Sequence, residues 1–244
     1  MAETMAPGAG YVRTMRQYDQ HCPMARAAEL VGESWTLLIV RELLRGERSA
    51  EAISQCITGI SSGVLAARLS TLQRAEVITK RGQSGEQPVF RLTPAGLELR
   101  PLVEQLGVWG QRWLPPPRNG QLAPALLVQD ITSEIDATAL PRRPVAVEIL
   151  LSETPEPSHW WLVLSLGKAE AHLKDPGIPV VVRIAATLSA LTNVWLGHTT
   201  WLHAVRSSSI RIHGRPDMVR SVLAWLGFSR LAKIQRAEHS LPRS

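Results

Sequence analysis

Three consecutive prolines, Pro115, Pro116 and Pro117, followed by Arg-Asn-Gly-Gln, interrupt the chain near its middle. A proline has a fixed φ and no backbone N–H, so no helix continues through such a run, and residues 115–123 read as a linker. A chain of 244 residues is therefore expected to fold as two domains, at 22–114 and 124–238. A flexible N-terminal arm at 1–21 and a tail at 239–244 complete this reading. The halves differ in texture. The first is rich in helical spacing, while the second alternates apolar and polar residues from residue 140 onward. An α+β protein is expected.

Four helical segments open the first half. Residues 24–32 form a short helix stopped by Gly32. Residues 34–46 form another, with Ser34 as N-cap and Gly46 as the stop. Residues 49–57 follow, capped by Ser49, with Ala52 where a full capping box has an acid or amide. After the turn Thr58-Gly59-Ile60, Ser61 caps the fourth helix. Leu65, Leu69 and Leu72 fall at i, i+4 and i+7 on one buried face. The opposite face carries Gly63, Ala66, Ala67, Ser70 and Arg74, small and nearly uncharged. Such a face is either ordinary solvent surface or one that lets a helix backbone sit deep in a DNA major groove.

Two strands at residues 77–81 and 88–92, joined by a turn at 83–87, then form a basic hairpin carrying Lys80, Arg81 and Arg91. Charges at a hairpin tip are commonly just solvated; beside a groove-reading helix they would meet phosphates, which set affinity and register rather than base choice. Thr93-Pro94 opens a long helix, Thr as N-cap and Pro in the first turn, with a kink expected at Pro101. Its stripe of Leu99, Leu102, Val103, Leu106, Trp109 and Trp113 closes the domain's own core. Its length at the edge of a small domain also predicts a partner helix, that is, a homodimer. Helix, turn, helix, hairpin and helix in this order predict a winged helix-turn-helix.

Residues 22–114 resemble the HxlR-type bacterial transcription regulators. The resemblance rests on CPMARAAELVGESWTLLIVRELLRG, GISSGVLAARLSTLQRAEVI and FRLTPAGLELRPLVEQLGVWGQRW. It implies a homodimer on a pseudo-palindromic operator of double-stranded DNA, with recognition helices about 34 Å apart. Ser61, Ser62, Gly63, Ala66, Ala67, Arg68, Ser70, Arg74, Lys80, Arg81 and Arg91 are the DNA-binding candidates. Removing Arg68 or Arg81 is expected to weaken binding to all sequences alike. The chain departs from the family at four places: Ser49-Ala50 replaces an Arg-aromatic pair, Ser62 a proline, Gly63 a basic residue and Glu76 a glycine. Cys22 matches an N-terminal cysteine that in some members senses oxidants, and is the redox candidate, with His21 beside it. A thiol senses only when exposed and acidified; a non-reactive cysteine near the dimer seam is the competing reading. Cys56 reads as a small buried apolar residue.

In the second half, four runs show period-two burial. They are Val145, Val147, Ile149 and Leu151; Trp160, Leu162, Leu164 and Leu166; Val180, Val182 and Ile184; and Ile210 with Ile212. Amphipathic helices lie among and after them, at 187–197, 199–208 and 215–228. Residues 179–227 resemble sterol-carrier-protein-like domains, in an α/β sandwich with helices covering a sheet. The resemblance implies an apolar tunnel for a small hydrophobic or aromatic effector, lined by Trp160, Leu162, Leu191, Trp195, Trp201, Leu202, Val205 and Trp225. The same residues would equally fill a solid core.

Enzyme signals are weak. Gly59-Ile60-Ser61-Ser62-Gly63 fits G-x-S-x-G, but a nucleophile elbow follows a strand and this segment follows a helix. The histidines have no metal-ligand spacing, and neither a P-loop nor a dinucleotide fingerprint occurs. No enzyme activity, cofactor or metal is expected. The formal net charge of +6 permits a polyanionic partner without requiring one. No apolar run reaches membrane-spanning length and the N-terminus has no signal core, so a cytoplasmic protein with reduced thiols is expected. The leading expectation is a dimeric DNA-binding regulator switched by an apolar effector. The alternative is a lipid-binding or protein-interaction module that uses the winged helix as a dimer scaffold.

Overall fold

In the computed structural model, residues 18–82, 87–116, 123–154 and 158–237 are described. Most of the expected arm (1–17), the hairpin turn at 83–86, the linker at 117–122 and the tail at 239–244 lie outside them. The molecule is α+β: an N-terminal winged helix-turn-helix with a three-stranded sheet, then a five-stranded mixed sheet with helices.

The N-terminal half runs α1 (Pro23–Val31), α2 (Thr36–Leu44), β1 (Arg48–Ser49), α3 (Ala50–Cys56), α4 (Ser62–Arg74), β2 (Ile78–Arg81), β3 (Val89–Leu92), α5 (Pro94–Leu97) and α6 (Arg100–Trp113). The expected caps at Ser49, Ser61 and Thr93 form: each hydroxyl accepts the N–H three residues on, from Ala52, Val64 and Gly96. The Ser34 cap does not. Trp35 precedes α2 in a left-handed conformation (φ 75°), and no side chain caps the helix. That turn places the Trp35 ring against Gly59, whose own φ of 88° makes the turn between α3 and α4.

Strand β1 has no apolar run to announce it. It pairs with β3 through Arg48 opposite Phe90 and makes the third strand of the wing sheet. The expected kink at Pro101 is a break. α5 ends at Leu97 and α6 starts at Arg100, because Pro101 has no N–H to carry the ladder across. Ile39, Val40, Ile53, Leu65, Leu69, Leu72, Ile78 and Phe90 make the core.

Glu76 occupies the position where the resembling family has glycine, and it is held at φ 56° between α4 and β2. A side chain in the left-handed region is strained. Glu76→Gly is expected to raise stability by about 0.5–1 kcal/mol, the released strain exceeding the added chain entropy. Chemical denaturation reads this directly; a loss of stability would mean that the turn is not strained.

The second half runs α7 (Pro124–Glu134), a 3-10 turn (Ala137–Ala139), β4 (Val145–Ser152), β5 (His159–Ser165), β6 (Lys168–His172), β7 (Val180–Thr187), α8 (Leu188–Trp195), α9 (Trp201–Arg206), β8 (Ile210–Gly214) and α10 (Pro216–Leu226). Strand order is β6-β5-β4-β7-β8, antiparallel except for β4 with β7. The alternation of Val147, Ile149 and Leu151 with Trp160, Leu162 and Leu164, and of Val182 with Ile184, turns one sheet face to a core shared with α7, α8 and α10. Leu166 was expected on that face. It lies one residue beyond β5 and is exposed, its N–H bonded to Pro141 O. Helix α7 and strand β6 are additional to the elements expected from the sequence.

The halves meet along a seam. Arg45 Nη2 lies 2.9 Å from Asp130 Oδ1. Gln129 Nε2 donates to Cys56 Sγ at 2.8 Å, and Gln111 Nε2 to Leu196 O at 3.0 Å. The C-terminal segment returns to α6, where Ala237 N donates to Arg112 O at 2.9 Å.

Candidate nucleic-acid interface

Helix α4 begins at a satisfied N-cap and buries Leu65, Leu69 and Leu72, so its orientation is fixed by packing. The residues half a turn away, Gly63, Ala66, Ala67, Ser70 and Arg74, are all exposed, as are Ser61 and Ser62. A Cβ added at Gly63 would meet nothing within 4 Å. The only charge among these seven is Arg74, whose Nη2 donates within the helix to Thr71 Oγ1 at 3.2 Å. The face thus offers hydroxyls, methyls and bare backbone, with one cation at its C-terminal end.

Arg68 departs from the expectation. Its guanidinium is turned back into the domain, where it pairs with Glu33 and Nε donates to Ser34 O. It braces α4 against the segment between α1 and α2, rather than facing outward.

The wing cations divide between two sides of the hairpin. The register pairs Thr79 with Arg91 and Arg81 with Val89 on one face, and Ile78 with Leu92 and Lys80 with Phe90 on the other. Ile78, Phe90 and Leu92 are buried, so Arg81 and Arg91 share the outer face while Lys80 extends past the core on the inner one. Arg81 Nη1 has an exposed partner in Glu47 Oε1 at 3.8 Å. Such a pair is screened and exchanges readily.

The α6 stripe is divided as well. Leu99 and Val103 pack on the N-terminal core. Leu102, Leu106, Trp109 and Trp113, at 41%, 45%, 54% and 44% exposure, form an apolar outer row. Cys22 is exposed at the N-cap of α1 without a side-chain capping bond. Cys56 is buried; burial pushes its thiol up, the negative charge of Glu42 adds to this, and the thiol stays protonated and inert.

Of the eight candidate ligand residues, six gather at one core cluster and two lie outside it. Trp160, Leu162, Leu191 and Trp195 are buried in the sheet-helix core. Trp201 and Trp225 are partly buried against it, while Leu202 and Val205 are exposed on α9. On the far side of the sheet, the register lines up His172, Trp161, Glu148, Arg183 and His213 across all five strands. Burial would raise the Glu148 carboxyl, but hydrogen bonds with Arg183 and His159 hold it below the ordinary range. Single-strand alternation could not reveal this row, because it exists only once the register is known. No helix among the described residues is long and apolar enough to cross a membrane, and no group of three or more acids, histidines and cysteines there could hold a metal ion.

Residues 30–118 match the family described as HxlR-like helix-turn-helix. An HTH-type transcriptional regulator of Mycobacterium tuberculosis is 38% identical over 98 residues, 39% of this chain and 61% of that one. The HTH-type transcriptional regulator YodB of Bacillus subtilis is 28% identical over 98 residues, 39% of this chain and 88% of its own length. The solved reduced form of YodB is 25% identical, with a TM-score of 0.35, covering 41% of this chain and 100% of that one. The chain thus spans about three fifths of the length of the mycobacterial regulator, at 61%, and the family match, residues 30–118, lies in the N-terminal half.

Proposed function

We propose that the whole chain is a dimeric DNA-binding regulator acting on a pseudo-palindromic operator, a reading supported by the match of residues 30–118 to the HxlR-like helix-turn-helix family. The observation that carries this reading is the outward face of α4, fully exposed and nearly free of charge, followed by a wing whose outer face presents Arg81 and Arg91. A helix with small side chains at Gly63, Ala66, Ala67 and Ser70 approaches base edges closely, and alanine methyls touch thymine methyls. Hydrogen bonds to bases are few on such a face. Sequence preference then comes from close approach, DNA shape and half-site spacing, while Arg74, Lys80, Arg81 and Arg91 supply phosphate contacts. Arg68 acts indirectly, by holding α4 in place.

The homodimer is formed through the outer row of α6. We read the C-terminal half as sterol-carrier-protein-like and as the effector-responsive part; its mixed sheet with helices on one face supports that reading.

Fluorescence anisotropy on duplex DNA from upstream of the protein's own gene tests the proposal. A complex that survives excess non-specific competitor, with affinity falling steeply as salt rises, is expected. Arg91→Ala is expected to weaken binding to every duplex alike and to lower the salt slope by about 1. If Arg91→Ala and Arg81→Ala both leave affinity and slope unchanged, the wing does not contact DNA.

A further inference from the structure

Residues 229–237 run back from α10 over the seam and tie its two sides together. Ser229 N donates to Trp195 O at the end of α8, and Arg230 N to Glu134 Oε2 on α7. Arg236 Nη2 then donates to Leu114 O at 2.6 Å and Ala237 N to Arg112 O at 2.9 Å, so this strap closes on the C-terminal end of α6.

One half-buried histidine joins the same pieces. Gln111 of α6 directs its Nε2 at two groups of the C-terminal half, Leu196 O at 3.0 Å and His198 Nε2 at 3.1 Å. A carbonyl only accepts, so the amide nitrogen of Gln111, and not its oxygen, faces Leu196. The second hydrogen of that nitrogen points to His198 Nε2, which must therefore accept. The ring proton then sits on Nδ1 and is donated to Asn193 Oδ1 at 3.3 Å. Only the neutral ring satisfies this chain of bonds.

A proton on Nε2 breaks the match. It sets two donors against each other at 3.1 Å. Turning the Gln111 amide over sets its oxygen against Leu196 O instead, so neither orientation serves both partners. Around the ring, α6 brings the uncharged Gln111 and α8 the uncharged Asn193. The strap brings the Arg236 guanidinium, which among the described residues is the charged group acting on the ring. Burial, and after it Arg236, hold His198 below the ordinary histidine range.

We propose that His198 is an acid-sensitive latch: its neutral ring fastens α6 to the C-terminal half, and its protonation releases the strap and loosens the seam. The released ring titrates near the ordinary value of 6.5 and the fastened ring lower, so protons bind the released state more readily. The latch therefore contributes fully above that ordinary value and is lost as pH falls through the lower one. What it frees is the inner side of α6, whose outer row is the proposed dimer seam. The latch stands independently of the DNA-binding reading.

Hydrogen exchange of the full chain, corrected for its intrinsic pH dependence and read by mass spectrometry between about pH 7.5 and about pH 5, tests this. Protection of residues 229–237 is expected to fall at least about threefold across that range, while β4 and β5 keep theirs. His198→Gln can still accept from Gln111 but takes up no proton, and it is expected to hold strap protection within about twofold. Arg236→Gln removes the neighbouring charge and is expected to move the wild-type midpoint to higher pH. The wild-type imidazole proton resonances read the same event without a variant: His198 is expected to titrate below 6.5, in step with the loss of protection. A strap that stays protected in acid overturns the proposal, as does equal loss in wild type and His198→Gln. A parallel loss in β4 and β5 means global acid unfolding and overturns it too, as does a His198 titration at or above 6.5. An unmoved midpoint in Arg236→Gln overturns the part assigned to Arg236.

Discussion

Glu42→Ala is expected to lower folding stability by about 3–5 kcal/mol, read as a shift of the denaturation midpoint at unchanged slope. Glu42 is wholly buried, with Arg41 Nη2 at 2.8 Å from Oε1, Arg45 Nη1 at 3.3 Å from Oε1 and Arg48 Nε at 3.8 Å from Oε2. Removing it leaves three guanidiniums facing one another at the seam with Asp130 and the more distant Glu134 as the remaining acids, so the cost is that of under-compensated buried charge rather than of one lost ion pair. Glu42→Gln keeps the shape and part of the hydrogen bonding and is expected to cost distinctly less. Equal losses in the two variants would mean that the site is sensitive to packing alone. The same cluster joins the two halves, because Arg45 spans to Asp130 on α7.

Neither that cluster nor the seam was legible in the sequence. Local pattern exposes what depends on neighbours three or four residues away. The stop at Gly32, the caps at Ser49, Ser61 and Thr93, and the buried triad Leu65, Leu69 and Leu72 all follow from such spacing. So does the alternation at Val147, Ile149 and Leu151. Ser34 misled because its hydroxyl suits a cap, while the chain uses Trp35 in a left-handed turn to reach Gly59. Strand β1 is two residues long and exists only through pairing with β3. Strand β6, Lys-Ala-Glu-Ala-His, has too little apolar character to announce itself and is drawn into the sheet by β5.

The exposed helix face at the candidate interface follows from i, i+4 periodicity, which is why its residues could be named in advance. The roles of its cations could not. Arg68 and Arg74 both belong to α4, yet one turns to Glu33 and the other outward, a choice set by where α1 ends. Arg81 and Lys80 are adjacent and emerge on opposite faces of the hairpin, a choice set by register with β3. Glu42 reads as one acid in a basic amphipathic helix; its place at the centre of the seam depends on α7, more than eighty residues away.

Trp109→Glu is expected to convert the protein to monomers and to weaken operator binding by about a hundredfold or more. In the outer row of α6, Leu102, Leu106, Trp109 and Trp113 follow i, i+4, i+7 and i+11 and all project from the molecule. The other sides of the helix are engaged: Val103 meets the N-terminal core and Gln111 bonds Leu196 of the C-terminal half. A contiguous row of two leucines and two tryptophans is costly to leave in water, and across a two-fold axis it meets its own copy, a self-complementary arrangement. A central tryptophan in such a seam is worth about 2–4 kcal/mol, and a buried glutamate facing its symmetry mate adds repulsion to that loss. The substitution is at an exposed position, so monomer stability is expected to change by no more than about 0.5 kcal/mol. DNA binding falls because one recognition helix reads only one half-site, and the second half-site no longer adds to the first. Sedimentation velocity with parallel anisotropy titrations measures both effects. A variant that remains dimeric places the seam elsewhere; a variant that becomes monomeric yet keeps full operator affinity shows that the protein reads DNA one domain at a time.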